Sequence, residues 1–175
     1  KKKVFESIKY DEPRIIIPLY YKESLIGIQG RSLDFENPNS VKYITVMLDE
    51  EAPKIYGLNE VDEQLPIYVV EGPIDSLFLP NAVATADANL ANAVNYILRE
   101  KLVLVFDNEP RNKDICKLMD KAIENHFAIC IWPEMMQEKD INDIILSGID
   151  ALKIIKKNTY MGLEAKAKLI GWKRV

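Results

Sequence analysis

Two short apolar runs that end abruptly in acidic residues stand out in the pattern of hydrophobic and polar positions. Residues 67–70 are followed by Glu71, and residues 102–106 are followed by Asp107 and, two positions later, by Glu109. Uninterrupted apolar runs of this length are typical of strands buried on both faces of a parallel sheet. Ligands of open α/β sheets bind beyond the carboxyl ends of the strands, so these three acids are predicted to lie in a functional site.

The chain around these runs alternates strand-like and helix-like patterns. We predict strands over 67–71, 82–85, 102–107 and 127–132. The helices between them are predicted over 73–79, 89–100 and 111–125. This alternation is typical of an α/β fold in which helices cover both faces of a parallel sheet, with right-handed connections. A Rossmann-like parallel sheet with flanking helices is therefore the predicted core.

The chain before this core is predicted to form a small, mixed and mostly antiparallel lobe. Strand-like runs occur at 15–21, 25–29 and 41–46, and residues 22–24 have the composition of a hairpin turn. The acidic stretch that follows has little periodicity, so we place the junction between the lobe and the core within 59–66.

The last part of the chain is predicted to be helical. Asp140 and Asp150 are expected to begin two helices, with Gly148 ending the first, and Asn158 with Thr159 is expected to cap the last helix. The predicted organisation is an N-terminal basic lobe, a central α/β domain and a C-terminal helical segment packed on it, with the bounds 1–64, 65–138 and 139–175.

Composition excludes some classes of protein. The 175 residues are 48% hydrophobic, which is enough for a sizeable core, and the net charge of −4 means that a nucleic acid would have to be held by a local basic patch. No apolar run approaches the roughly 20 residues that span a bilayer, and no signal peptide is evident, so a cytoplasmic location without a membrane partner is expected. The chain begins with Lys instead of Met, which favours a fragment of a longer protein.

The cysteines and the single histidine are not expected to carry chemistry. Cys116 and Cys130 lack the spacing of a zinc site and are predicted to be reduced core residues. His126 lies between a predicted helix and a predicted strand, where a structural role is favoured. Catalysis by histidine is therefore not expected.

The three acids at the strand ends have the chemistry of a magnesium site. Adjacent strands lie about 4.8 Å apart, so Glu71 can share an ion with Asp107 and Glu109, and Mn²⁺ is expected to substitute for Mg²⁺. Gly72 frees the backbone after Glu71, which favours function there. The alternative is that the acids are helix caps or first-turn residues, and for Asp75 this interpretation explains the sequence as well as metal contact does.

Basic residues accompany the acids in the sequence. Arg111 and Lys113 follow the second acidic run, and Lys139 precedes the predicted C-terminal helices. Arg111 and Lys113 could pair with a phosphate at a helix start, although ordinary surface charge explains them equally well. Arg31, next to a glycine at a predicted strand end, is the better candidate for a phosphate clamp.

The acidic runs resemble a known signature. Val69-Val70-Glu71-Gly72-x-x-Asp75, followed by Phe106-Asp107-x-Glu109, is similar to the Toprim motifs shared by bacterial-type primases, type IA and type II topoisomerases and some nucleases. Glu109 stands where this signature usually has Asp, and the glycine that commonly follows is absent here. The resemblance implies a Toprim fold without identifying the reaction.

The flanking segments resemble the catalytic cores of bacterial primases. The segments that carry this resemblance, in the order that such cores have them, are 14–18, 27–31, 42–43, 54–58 and 139–143. The runs 107–112 and 139–143 look most like the primases of T-even type bacteriophages. The resemblance extends over nearly the whole chain.

This resemblance implies Mg²⁺-dependent synthesis of short RNA from nucleoside triphosphates on a single-stranded DNA template. Glu71 would be the acid nearest the reacting phosphate, and Asp107 and Glu109 would hold metal. The acids that would extend this patch are Asp75, Asp140 and Asp143. The residues placed where such enzymes contact template or nucleotide are Arg31, Lys42 and Arg14.

The resemblance also implies partners. Primases of this kind carry a zinc ribbon before the core, so zinc is expected only in a module absent from this chain, and a replicative helicase is the expected protein partner. A viral chain would act in the host cytoplasm.

Two other functions stay open at this point. A Toprim nuclease would use the same acids with water as the nucleophile. A non-catalytic module with this fold could instead dock another replication protein.

Overall fold

A three-stranded antiparallel sheet comes first in the chain. The computed structural model describes residues 12–34, 40–85 and 89–175. The strands of this first sheet are β1 (Arg14–Tyr21), β2 (Ser24–Ser32) and β3 (Tyr43–Met47), with β2 in the middle. The hairpin predicted at 22–24 is confirmed, because Tyr21 pairs with Ser24. Lys22 and Glu23 have φ angles of 47° and 66°, the left-handed geometry that a two-residue hairpin turn requires.

A six-stranded sheet forms the second layer and confirms the predicted α/β core. Its strands are β4 (Ile55–Tyr56), β5 (Ile67–Val70), β6 (Ala82–Thr85), β7 (Leu102–Leu104), β8 (Ala128–Cys130) and β9 (Thr159–Tyr160), in the order β4-β6-β5-β7-β8-β9. The four central strands are parallel, whereas β4 and β9 pair antiparallel at the two edges. All four residues of β5 are buried, as expected for a strand at the centre of a covered sheet.

In the described ranges, five α-helices pack beside this sheet, and four of them lie in the connections between its strands. They are α1 (Pro73–Ser76), α2 (Lys113–Glu124), α3 (Ile141–Leu146), α4 (Ala151–Lys157) and α5 (Gly162–Trp172). The side chain of Asn112 caps α2 by accepting hydrogen bonds from two backbone N–H groups. Asp140 and Asp150 cap α3 and α4, each by accepting one backbone N–H, as the sequence predicts. No helix in the described ranges is long and apolar enough to cross a membrane.

The helix predicted over 89–100 is wrong. Two short 3₁₀ segments, Leu90–Asn95 and Arg99–Lys101, occupy this stretch, and Leu98 between them is extended. The buried residues Leu90 and Ala93 are three positions apart, which matches three residues per turn. Asparagines disfavour a helix interior because their amides compete for backbone hydrogen bonds, and here the side chain of Asn89 bonds to that of Asn92.

The predicted cap of the last helix is also wrong. Thr159 belongs to edge strand β9, and α5 begins later, at Gly162. The side chains of Asn158 and Thr159 instead donate to the carbonyls of Ile154 and Ile155, so they close α4. The C-terminal segment therefore contributes a strand to the sheet as well as helices.

The two sheets meet along β1. The backbone N–H of Lys22 donates to the side chain of Asn59 at 3.1 Å, and the rings of Tyr21 and Tyr96 make an edge-to-face contact at 6.1 Å. Cys116 and Cys130 are buried free thiols, as predicted. This arrangement leaves β2 and β3 facing the carboxyl ends of β5 and β7 across a cavity.

Candidate functional site

A cavity of about 490 Å³ separates the antiparallel sheet from the carboxyl ends of β5 and β7. Eight of the residues singled out in the sequence line it, namely Arg31, Lys42, Glu71, Asp75, Asp107, Glu109, Lys139 and Asp140. The acids come from the six-stranded sheet and its connections, whereas Arg31 and Lys42 come from the opposite wall. The fold therefore brings acidic and basic groups face to face.

Three of the basic candidates lie outside this cavity. The guanidinium of Arg14 donates to the backbone carbonyls of Gly30 and Val41, so it fastens the edge of the first sheet. Arg111 lines a separate cavity of about 170 Å³ on the far side of residues 107–109. Lys113 begins α2 and is exposed.

Gly72 leaves space for the side chains of Asp75 and Tyr43 beside the end of β5. Gly72 has φ −107° and ψ 138°, an extended geometry that any residue adopts, so backbone freedom is the wrong reason for this glycine. The reason is space, because a Cβ atom on Gly72 would lie 2.7 Å from Asp75 Oδ2 and 3.4 Å from the hydroxyl of Tyr43. Gly72 thereby lets both walls of the cavity approach the same point.

The carboxylates of Asp75 and Asp140 also organise the start of α3. Asp75 Oδ1 accepts the backbone N–H of Asn142 at 3.1 Å, and Asp140 Oδ1 accepts that of Asp143 at 2.9 Å. Asp75 lies in the first turn of α1, so it combines the helix-start position with a place in the cavity. Asp143 does not line the cavity.

The second acidic run is tied to the first and to a lysine. Glu71 Oε1 accepts the backbone N–H of Asp107 at 3.3 Å. Lys139 Nζ lies 2.9 Å from Glu109 Oε1 and 4.0 Å from Asp107 Oδ2. Glu109 Oε2 also accepts from the side chain of Asn112 at 2.8 Å. Glu109 therefore has two internal partners, whereas the carboxylates of Glu71 and Asp107 are less well compensated.

The pKa values of the acids differ in the same way as their hydrogen-bond partners. Burial raises the pKa of Glu71 and of Asp75. Burial, and then repulsion by Glu71, Asp75 and Asp140, raises the pKa of Asp107 to about 7. The hydrogen bond from Lys139 instead lowers the pKa of Glu109. Strong perturbation within one cavity is typical of functional sites.

The acids do not form a ready coordination shell. Among the residues in the described ranges, no group of three or more His, Cys, Asp or Glu side chains is arranged to hold a metal ion. The ammonium of Lys139 occupies the space between Asp107 and Glu109.

Tyr43 and Gln29 line the cavity, although they were not predicted as site residues. The ring of Tyr43 packs under the guanidinium of Arg31 at 4.9 Å, and burial raises the pKa of its hydroxyl. Gln29 is 3% exposed and donates to the hydroxyl of Thr45, while its Oε1 has no partner among the residues that the structure describes. Gln29 and Arg31 are two apart on β2, so strand alternation was the signal that they share a face.

Comparison with known proteins identifies a similar sequence. The chain is 35% identical over 170 residues to the DNA primase of enterobacteria phage T4, covering 94% of this chain and 48% of that protein. The chain thus spans about half the length of the curated relative it matches. No family model matches the chain.

Solved structures share the fold. The primase catalytic core of Escherichia coli matches with a TM-score of 0.63 at 19% identity, over 90% of this chain and 55% of that one. The Aquifex aeolicus primase, with its zinc-binding and RNA polymerase domains, matches with a TM-score of 0.59 at 20% identity, over 92% and 47%. The RNA polymerase domain of Mycobacterium tuberculosis primase, in complex with a double-stranded DNA oligomer that has a 6-nucleotide overhang, gives 0.61 at 17% identity, over 93% and 56%.

Proposed function

This chain is homologous to the DNA primase of enterobacteria phage T4, and we propose that it is the catalytic core of a primase. It would synthesise short RNA primers on single-stranded DNA from nucleoside triphosphates, as a metal-dependent nucleotidyltransferase. The observation that carries the proposal is the cavity in which Glu71, Asp75 and Asp107 face Arg31 and Lys42. In nucleotidyl transfer a 3′-hydroxyl attacks the α-phosphate of a nucleoside triphosphate and pyrophosphate leaves, so carboxylates that would hold a metal ion and cations that would hold phosphates are both needed.

The wall of the cavity that carries Arg31 and Lys42 is suited to binding a nucleoside triphosphate and the template. The guanidinium of Arg31 can engage two phosphate oxygens at once, and its stacking on Tyr43 fixes its direction. Lys42, which is exposed at the rim, adds a charge that can follow a phosphate backbone. Binding through these groups would weaken strongly as salt concentration rises.

The acidic wall suits a divalent cation. Half-buried carboxylates with raised pKa values repel one another, and Lys139 and Lys42 offset only part of that repulsion. Glu71, Asp75 and Asp107 would hold the cation, which we propose to be Mg²⁺ with Mn²⁺ as a substitute, with Glu109 and Asp140 at the edge of the site. When bound, the cation would supply neutralisation and alignment of the reacting phosphates.

The side chains have distinct parts in the proposed reaction. Glu71 lies at the end of strand β5, where its carboxylate would be the acid nearest the reacting phosphate. Lys139, which bonds to Glu109, would move toward the phosphates as they enter and balance their charge. Arg31 would hold the triphosphate in line with the attack.

The partners and location follow from the proposed reaction. Single-stranded DNA and nucleoside triphosphates are the proposed ligands, and a replicative helicase is the proposed protein partner. Zinc would belong to a module outside this chain, and the site of action would be the cytoplasm, that of the host if the protein is viral. The division into 1–64, 65–138 and 139–175 stays a prediction.

Primer synthesis can be tested directly. The chain would be incubated with labelled nucleoside triphosphates, saturating single-stranded DNA and Mg²⁺ or Mn²⁺, and the products separated by size. Labelled oligoribonucleotides are expected with wild type and not with Glu71→Gln, whose stability should stay near that of wild type. Degraded DNA would identify a nuclease instead, and equal synthesis by Glu71→Gln would remove Glu71 from the reaction.

A further inference from the structure

Asn108, the residue between the two acids of the second run, points away from the cavity and is fully engaged in hydrogen bonds. Its side-chain amide donates to the carbonyls of Met136 and Glu138 at 3.2 and 2.9 Å, and its Oδ1 accepts the indole N–H of Trp172 at 3.1 Å. Its backbone N–H donates to the carbonyl of Lys139 at 2.6 Å. This alternation is the geometry in which the flanking acids face the cavity and the middle residue faces the opposite side.

These bonds join three separate parts of the chain at one side chain. The parts are the acidic run after β7, the loop after β8 that carries Lys139, and the end of α5. A carboxamide is suited to this junction because it donates twice and also accepts. An aspartate in its place could not donate, and an apolar residue could neither donate nor accept.

Arg174, two residues after the end of α5, contacts both the segment after the acidic run and the loop after β8. The backbone N–H of Arg174 donates to the carbonyl of Pro110 at 2.9 Å, and its guanidinium donates to the carbonyl of Glu134 at 3.1 Å. Trp172 is 3% exposed, so its indole lies in a fixed position when it meets Asn108. The acidic run is therefore supported from behind by the C-terminal helix.

We propose that Asn108 is a positioning residue that sets the spacing between the acidic run and Lys139, with Trp172 as its support. This inference rests on the proposed function, because the spacing matters through the cation and the phosphates. Asn108 touches neither of them. It acts by holding the backbone of the loop at 136–139 against the acidic run and by fixing the directions in which Asp107 and Glu109 leave the strand end.

The test compares Asn108→Ala and Trp172→Phe with Asn125→Ala in the whole chain. The side chain of Asn125 makes one amide-to-carbonyl bond at 2.8 Å, at the exposed end of α2 and outside the cavity, so its loss is the matched control. Trp172→Phe keeps a buried ring and removes only the N–H donor. Urea unfolding establishes which variants are folded at the assay temperature.

Two measurements read out the positioning. Mn²⁺ binding, followed by electron paramagnetic resonance without nucleotide or template, should weaken at least fivefold in Asn108→Ala and less in Trp172→Phe. In primer synthesis kcat should fall at least tenfold in Asn108→Ala, while the KM for nucleotide changes less than threefold. Asn125→Ala should match wild type in both measurements.

Each outcome is decisive for one of the two proposals. Wild-type Mn²⁺ affinity and kcat in folded Asn108→Ala and Trp172→Phe would overturn the positioning role, as would losses equal to those of Asn125→Ala. If Asn108→Ala does not fold, Trp172→Phe alone decides in the same way. A wild-type chain that binds Mn²⁺ without making primers would refute the proposed function, and the binding comparison would still test Asn108.

Discussion

Asp107→Asn should make the metal-free protein more stable while it destroys the site. The side chain of Asp107 is 20% exposed, and burial with repulsion by neighbouring acids raises its pKa from 3.8 to about 7. At about 1.4 kcal/mol for each tenfold change in proton affinity, the ionised carboxylate costs the folded state up to about 4 kcal/mol. Residual solvation and relaxation of the loop reduce this, so a gain of about 1 to 3 kcal/mol is expected at pH 8.

The pH dependence of this gain has a definite sign. Between pH 3.8 and about 7 the folded chain keeps a proton on Asp107 that the unfolded chain loses, so wild-type stability falls as pH rises through this window. Asparagine does not titrate. The gain from Asp107→Asn should therefore be absent near pH 4 and greatest at pH 8.

Urea unfolding in the presence of a chelator measures this gain. The free energy of unfolding of wild type and Asp107→Asn would be compared at pH 4, 6 and 8, with Asp114→Asn as the control. Asp114 is an exposed acid at the start of α2, so its loss should change stability by less than about 0.5 kcal/mol at every pH. A variant that is less stable than wild type at pH 8, or a gain that does not grow with pH, would refute the reasoning.

Three further substitutions test other parts of the cavity. Gly72→Ala should displace the carboxylate of Asp75, whose Oδ2 would lie 2.7 Å from the new Cβ, and so reduce primer synthesis, while the free energy of unfolding falls by at most about 1 to 3 kcal/mol. Gly171→Ala in α5 is the control and should be neutral or stabilising in urea unfolding. Arg31→Ala should weaken nucleotide binding about tenfold by fluorescence titration with little change in fold, and Arg99→Ala, which removes a similar stacking contact elsewhere, should leave binding unchanged. Lys139→Met should raise the pKa of Asp107 further, because the charge of the lysine lowers that pKa in wild type. Carboxyl-carbon NMR measures the pKa, and an unchanged value would contradict the interaction between Lys139 and Asp107.

The sequence predicted the sheet because its signals are local. The apolar runs that became β5 and β7 and the alternation around them reflect burial on two faces, which the order of residue types records directly. The prediction of a helix over 89–100 was wrong because it followed the spacing of the apolar residues and gave too little weight to the asparagines, and the stretch forms 3₁₀ turns. Edge strand β9 has only two residues and leaves no periodicity to detect.

The cavity was predicted only in part, because its second wall depends on how the two sheets pack. Arg31 was found by its place after a glycine at a strand end, whereas Gln29 and Tyr43 enter the cavity through the pairing of β2 with β3. Arg14 belongs to the same sequence pattern, yet its guanidinium serves the backbone of the first sheet. Residue type identified the chemistry, and the packing of the sheets decided which residues of that type reach the cavity.

The antiparallel edge strands β4 and β9 bear on how the chain can be divided. Both come from outside residues 65–138, and they cover the backbone N–H and C=O groups of β6 and β8 that would otherwise be open. Open edges of this kind invite pairing with other molecules. A segment limited to 65–138 would keep Glu71, Asp75, Asp107 and Glu109, yet it would be prone to aggregate through the open edges of β6 and β8. Purification of the central unit would therefore require residues 55–160.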